Sequence, residues 1–359
     1  MKTFLPRLCF GCICASLLLI GCNQPNSKEN IRISFSKSEP IYPGAKVRIQ
    51  ATNPLILESL RVSYQGQELK INNDTIYLPT ALPLGRHRFV AAYTHQNQTH
   101  ETPIELSVYA KKPPTKIKAK LIATYDHSTA NYTQGLEFYG DLLIESTGGL
   151  STSSILVYDP FSGEEFKRLN LADAIFGEGI TRIGDKLFHL TWKNGYGSIR
   201  SFKDLDSLAS FQYQSSIEGW GLTHDEQFIY KSDGTEYLWK LDKVTGSELS
   251  YITIGTQNAY FKNANELEWA ENLIFANVYQ KDGVMIIDPN TGAIVGVVDL
   301  GFLKDLIDKN ANFDPLNSVL NGIAYHPERG TFFVTGKNWN KLFELQIDLE
   351  PIKKALTKS

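Results

Sequence analysis

The chain has 359 residues, 42% hydrophobic and 21% charged, an ordinary balance for a soluble globular protein and long enough for two domains. A net charge of −3 removes the electrostatic reason to expect nucleic acid as a partner. All four cysteines (Cys9, Cys12, Cys14 and Cys22) fall in the first 22 residues, so the remaining chain has no disulfide, no thiolate metal site and no cysteine nucleophile.

The first segment reads as an address. Lys2 and Arg7 precede an apolar core from Leu8 to Ile20 that is too short for a permanent span. It closes on Leu19-Ile20-Gly21-Cys22, which resembles the lipobox of bacterial lipoproteins. The expectation is a signal peptide over 1–21, cleavage before Cys22, a lipid on that thiol and a place in the bacterial cell envelope, on the periplasmic face or outer membrane. Residues 22–30 are polar and predict a flexible tether.

From 31 to 110 apolar residues alternate in short runs: Val47, Ile49 and Ala51; Leu60, Val62 and Tyr64; Phe89, Ala91 and Tyr93; Ile104, Leu106 and Val108. Period-two strands with turn signals between them predict a small immunoglobulin-like β-sandwich. Residues 111–118, with Pro113-Pro114, predict a linker, because consecutive prolines cannot pair in a central strand.

Residues 119–356 carry a repeat. Gln134-Gly135-Leu136-Glu137, Glu178-Gly179-Ile180-Thr181, Trp220-Gly221-Leu222-Thr223, Asn265-Glu266-Leu267-Glu268 and Asn321-Gly322-Ile323-Ala324 follow one another at steps of 44, 42, 45 and 56. Such a period is that of a β-propeller blade, so the fold class is all-β, a five-bladed β-propeller preceded by the sandwich. Turns at Asp159–Gly163, Asp242–Gly246 and Asp288–Gly292 share an Asp-x-x-Ser/Thr-Gly pattern and predict outer hairpins within blades. The strand near Leu121 to Thr124 is placed to pair with Leu342 to Leu345 and close the ring.

The first motif position varies while its neighbours do not. A second equivalent position lies 14 residues on, at Gly148, Trp192, Gly234 and Tyr279, with Lys337 in the fifth copy after a two-residue insertion. One end of the channel should therefore gather Gln134, Glu178, Trp220, Asn265 and Asn321 with Trp192, Tyr279 and Lys337. One carboxylate, several amides, one cation and three aromatics suit a small polar group bearing an amine and a carbonyl. Trp239, Trp269 and Trp339 are assigned to packing, and Glu145 is placed outside the pocket lining, either supporting the lining residues from behind or anchoring Ser146 and Thr147.

These residues also carry a resemblance. Tyr132-Thr133-Gln134-Gly135-Leu136, Glu145-Ser146-Thr147-Gly148, Phe176-Gly177-Glu178-Gly179-Ile180-Thr181 and Leu190-Thr191-Trp192-Lys193 come in order. Gly219-Trp220-Gly221-Leu222-Thr223, Asn265-Glu266-Leu267-Glu268-Trp269, Leu320-Asn321-Gly322-Ile323-Ala324 and Thr335-Gly336-Lys337-Asn338-Trp339 follow. The set, over about 120–350, resembles the plant-type (bacterial and papaya-like) glutaminyl-peptide cyclotransferases. The resemblance implies conversion of N-terminal glutamine of peptides to pyroglutamate with release of ammonia. It implies Glu178 as the catalytic residue and Gln134, Trp192, Trp220, Asn265, Tyr279 and Lys337 as substrate-binding residues. Tyr279 stands where the family usually has tryptophan, which puts substrate preference rather than catalysis in question.

The chemistry fits these residue types. The α-amine has a pKa near ~8 and must lose a proton to attack its own γ-carboxamide, so a carboxyl beside it can take that proton and return it to the departing nitrogen. Gln134, Trp220, Asn265 and Lys337 are the candidate donors to the oxyanion. No cofactor and no metal are expected, since the seven histidines show no His-x-His or His-Glu-x-x-His spacing. The expected partners are glutamine-initiated peptides and, through Cys22, a membrane, with the protein a monomer. The alternatives are a non-catalytic propeller that binds peptides or envelope partners, and a calcium-dependent lactonase or lyase. One acid among five convergent positions argues against the calcium case.

Overall fold

A computed structural model describes residues 31–36, 40–309 and 313–356. The leader, Cys22 and the tether lie outside the described residues. Among those described, no helix is long and apolar enough to cross a membrane.

The N-terminal region forms two four-stranded sheets. Ile33–Phe35, Lys46–Ala51, Thr75–Tyr77 and Ile71–Asn72 make one, and Gln67–Leu69, Arg61–Tyr64, Gly85–His95 and Gln98–Val108 make the other. Alternation puts Val47 and Ile49 from the first sheet, and Val62, Phe89, Ala91, Ile104, Leu106 and Val108 from the second, into one core.

Beyond residue 118 the chain makes five sheets whose innermost strands are Thr133–Tyr139, Gly177–Ile183, Leu222–His224, Ala264–Ala270 and Leu320–His326. Each innermost strand touches the next, and the last touches the first, so the sheets form a closed ring. In four sheets the strands follow chain order from inside outward. The fifth takes its outermost strand, Ala119–Asp126, from the start of the region, pairing Leu121 with Leu345 and Thr124 with Phe343. That pairing ties the two ends of the ring together.

Composition decides which strand sits where. The second strands, such as Leu142–Thr147 and Thr331–Gly336, are buried almost throughout because neighbouring sheets cover both faces. Outermost strands such as Glu165–Asn170 and Ser207–Gln212 are largely exposed.

The segment expected as a linker differs in part. Thr115–Ile117 pairs in parallel with Ile294–Asp299 and becomes a fifth strand of the fourth sheet. Pro113-Pro114 directly precede it, so the proline restriction applies only up to that point. The N-terminal region rests on the same sheet. Leu84 N–H donates to the Thr291 carbonyl at 3.1 Å, Ala110 N–H to the Thr256 carbonyl at 3.1 Å, and Tyr109 stacks on Tyr260 with ring centroids 4.9 Å apart.

Candidate active site

The motif has a structural meaning. In four sheets the pairing between the first and second strands shifts register at the first motif position: between Thr133 and Gly135, Gly177 and Ile180, Ala264 and Leu267, and Leu320 and Ile323. Such bulges re-aim a side chain out of the alternation, and they carry Gln134, Glu178, Asn265 and Asn321. In the third sheet the innermost strand starts only at Leu222, so Trp220 precedes it.

The glycine that follows is required by space. A Cβ on Gly135 would lie 2.7 Å from Ile180 N, one on Gly179 2.5 Å from Leu222 N, and one on Gly221 1.9 Å from the Asn265 carbonyl oxygen. Each glycine thus lets one innermost strand approach the next. In the fourth copy Glu266 replaces it, and its carboxyl instead accepts N–H groups from Leu136 at 3.2 Å and Ile323 at 2.8 Å, linking the first and fifth sheets.

Gln134, Glu178, Trp192, Trp220, Asn265, Tyr279 and Lys337 line one cavity of about 240 Å³, joined by Tyr132, Phe176 and Asn317. This is below the roughly 300–1,000 Å³ of pockets for drug-sized ligands, and suits a single amino-acid residue. The two glycines at the second repeated position make room for its walls. The Phe176 ring lies over Gly148, 2.3 Å from where a Cβ would be, and the Trp220 ring covers Gly234 in the same way at 2.7 Å.

Asn321 does not line the cavity. It is fully buried and its Nδ2–H donates to the Thr133 carbonyl at 2.9 Å and to Gln134 Oε1 at 3.2 Å. Gln134 in turn donates Nε2–H to Glu178 Oε1 at 3.0 Å. Asn321 therefore fixes Gln134, and Gln134 fixes the acid. Glu145 does not line the cavity, and of its two expected roles the anchoring of Ser146 and Thr147 is not observed. Its carboxylate accepts from Asn131 Nδ2 at 2.8 Å and Thr133 Oγ1 at 2.7 Å and faces His127, whereas Ser146 pairs with His189 and Thr147 with Ser154.

Charge in the cavity is scarce and buried. Burial pushes Glu178 well above the ordinary carboxyl range; Lys337 opposes that rise and Glu218 adds to it. Burial lowers Lys337 to about 8, with Glu178 opposing. Both shifts favour the neutral forms, as expected for charges removed from water. The Lys337 ammonium lies 4.8 Å from the Tyr132 ring centroid and 5.3 Å from that of Tyr279. It has no hydrogen bond or ion pair among the described residues, and the same holds for the Asn265 carboxamide.

Glu218 was missed by sequence reasoning. Its Oε2 accepts the indole N–H of Trp192 at 2.6 Å and that of Trp220 at 2.8 Å, and its Oε1 lies 3.8 Å from the Lys193 ammonium. The carboxylate thus holds two aromatic walls from behind. The loop bearing it is pinned by Tyr213, whose O–H donates to the Thr191 carbonyl at 2.8 Å and accepts Thr191 N–H at 3.0 Å. The Trp220 indole, expected among oxyanion donors, is therefore engaged elsewhere, and so is the Gln134 amide. Of the four expected donors, Asn265 and Lys337 are the two whose side chains line the cavity with no hydrogen bond among the described residues. Tyr132 (pushed up to about 12, mainly by burial), Phe176 and Asn317 were also not singled out as pocket residues. Gly148 opposite Phe176 was the available signal for that ring.

Ring and pocket together define a β-propeller with a buried acid and a buried amine facing each other across a cavity of single-residue size. The profile of the glutamine cyclotransferase family matches residues 89–347, and the chain belongs to that family. It is 32% identical over 229 residues to the glutaminyl-peptide cyclotransferase of Arabidopsis thaliana, covering 64% of this chain and 71% of that one. It superposes on the crystal structure of the Myxococcus xanthus glutaminyl cyclase with a TM-score of 0.59 and 32% identity, covering 66% of this chain and 98% of the other.

Proposed function

We propose that the protein is a glutaminyl-peptide cyclotransferase, an acyltransferase that converts N-terminal glutamine of peptides to pyroglutamate and releases ammonia. The carrying observation is the pair of Glu178, buried and with a raised pKa, and two unengaged donors lining the same cavity. Glu178 takes a proton from the substrate α-ammonium, a transfer favoured by burial, which raises the carboxyl's pKa well above its ordinary range. The neutral nitrogen attacks the γ-carbon and a C–N bond forms. The γ-oxygen becomes an oxyanion, for which Asn265 Nδ2–H and the Lys337 ammonium are the available donors. The bond to the amide nitrogen then breaks, Glu178 returns the proton, and ammonia leaves. Trp192, Trp220, Phe176 and Tyr279 hold the side chain folded onto its own amine.

The scheme uses no metal, and among the described residues no group of three or more His, Cys, Asp or Glu side chains is placed to hold one. The test is ammonia release from a glutamine-initiated peptide, with and without chelator. No release, or release abolished by chelator and restored by zinc, overturns the reading.

We also propose that residues 1–21 are a signal peptide and that the protein, a monomer, is anchored in the bacterial envelope by a lipid on Cys22. The support is the Leu19-Ile20-Gly21-Cys22 lipobox followed by a polar tether. Metabolic palmitate labelling decides it: an unlabelled protein free of the membrane fraction removes the anchor.

A further inference from the structure

The geometry points to a second subsite that reads the residue following the glutamine and prefers a large apolar side chain there; this rests on the cyclotransferase reading. A groove of about 520 Å³ lined by Leu150, Ala174, Phe176, Trp192, Lys193 and Asn194 borders the pocket. Phe176 and Trp192, with ring centroids 5.3 Å apart, form a wall common to both. Leu150 is an apolar side chain at its edge, 66% exposed among the described residues. Asn194 Nδ2–H donates to the Ala174 carbonyl at 3.3 Å and ties the groove's two sides together.

Substrate chemistry selects this groove. The glutamine α-carbon bears both the attacking amine and the carbonyl that continues the peptide, so the chain must leave the pocket beside Glu178. Glu178 lies two residues after Phe176, and Gln134, which bonds Glu178, packs with Phe176 over Gly148. The following side chain is thereby set down on Phe176, Trp192 and Leu150. Lys193 adds a selective element. Its ammonium sits 3.9 Å from the Trp192 ring centroid and is largely exposed, so it repels a basic second residue. A rival surface, past Tyr279 and lined by Tyr260, Phe261 and Lys262, shares one wall residue with the pocket rather than two.

The experiment measures kcat/KM of the full-length protein on peptide amides of one length beginning Gln-Phe, Gln-Leu, Gln-Gly and Gln-Lys. Phe and Leu should exceed Gly by about tenfold, the low end of hydrophobic discrimination because the groove is open on one side, and Lys should fall below Gly. Leu150→Ser should bring the Phe and Leu values toward that of Gly, and Leu150→Glu should raise Gln-Lys relative to Gln-Phe. Phe261→Ser should leave the order intact. Equal rates for all four peptides, or discrimination lost in Phe261→Ser and kept in both Leu150 variants, overturns the subsite. If none of the peptides releases ammonia, the cyclotransferase reading fails instead. The same ranking is then sought by calorimetric binding, where its absence also removes the subsite.

Discussion

At the scale of single residues, burial disfavours both charges in the pocket, that of Glu178 and that of Lys337. Replacing Glu178 by Gln preserves shape and the bond from Gln134 but removes the proton acceptor. Turnover should fall by ~10²–10⁴-fold in a protein that still melts cooperatively; a folded variant with native rates would assign the carboxyl to structure. The neighbours set the pH profile. In the proposed scheme the active form needs ionised Glu178, so kcat/KM should rise as pH increases through its pKa, which burial holds well above the ordinary carboxyl range. Lys337 lowers that pKa and Glu218 raises it. Lys337→Met should therefore move the acid limb to higher pH, and Glu218→Gln to lower pH, while its carboxamide oxygen still accepts an indole N–H. Shifts of the same sign in both variants would contradict this electrostatic account. In the native protein the alkaline limb should fall near 8, where Lys337 loses its proton.

At the scale of elements, bulge and glycine act as one device. The bulge turns a side chain toward the axis, and the missing Cβ of the next residue lets adjacent innermost strands close around it. In the third sheet, whose first and second strands pair without a bulge, the glycine acts alone and is the tightest of all, with the absent Cβ of Gly221 1.9 Å from the Asn265 carbonyl oxygen, on the residue that supplies a cavity donor. Gly221→Ala should cost at least the ~1–3 kcal/mol typical of overpacking, because the obstacle is backbone that cannot rotate aside. Denaturant melts read this directly, and activity should fall with stability as Asn265 is displaced. An unchanged midpoint would show that the ring has slack at this seam. The outer hairpins are more forgiving. Asp159 Oδ1 accepts Phe161 N–H at 2.7 Å and Asp242 Oδ1 accepts Thr245 N–H at 2.8 Å, so those turns are made locally by their own side chains.

At the scale of the molecule, the N-terminal sheets are fastened to the fourth blade near Tyr260 and Thr291 and contribute no residue to the cavity. Removing residues 23–110, with the Thr115–Ile117 strand retained, should leave turnover in place while lowering the melting temperature. For a domain of this size each lost kcal/mol of docking moves Tm by roughly 2–4 °C. A well-folded but inactive ring would mean that docking positions Asn265 through the Tyr260–Asn263 segment. The family profile begins at residue 89, inside the second of these sheets, so the matched region and the ring do not share a boundary.

Much of this was legible because it is local. The interval between motif copies, the turn residues Asp159, Asp242 and Asp288, and the alternation through Phe89, Ala91 and Tyr93 all act within a few residues of chain. The variable position of the motif was readable as a site because in four of the five sheets a bulge falls there. What stayed hidden depends on partners far apart in sequence. Nothing near Glu218 shows that it holds Trp192 as well as Trp220, that Asn321 braces Gln134 from 187 positions away, or that Thr115–Ile117 joins the fourth blade. A residue's type fixes which bonds it can make, whereas only the closed ring fixes which partner is within reach. That is why the acid and its cation were readable from the chain, and which donors remain for the oxyanion was decided by tertiary structure.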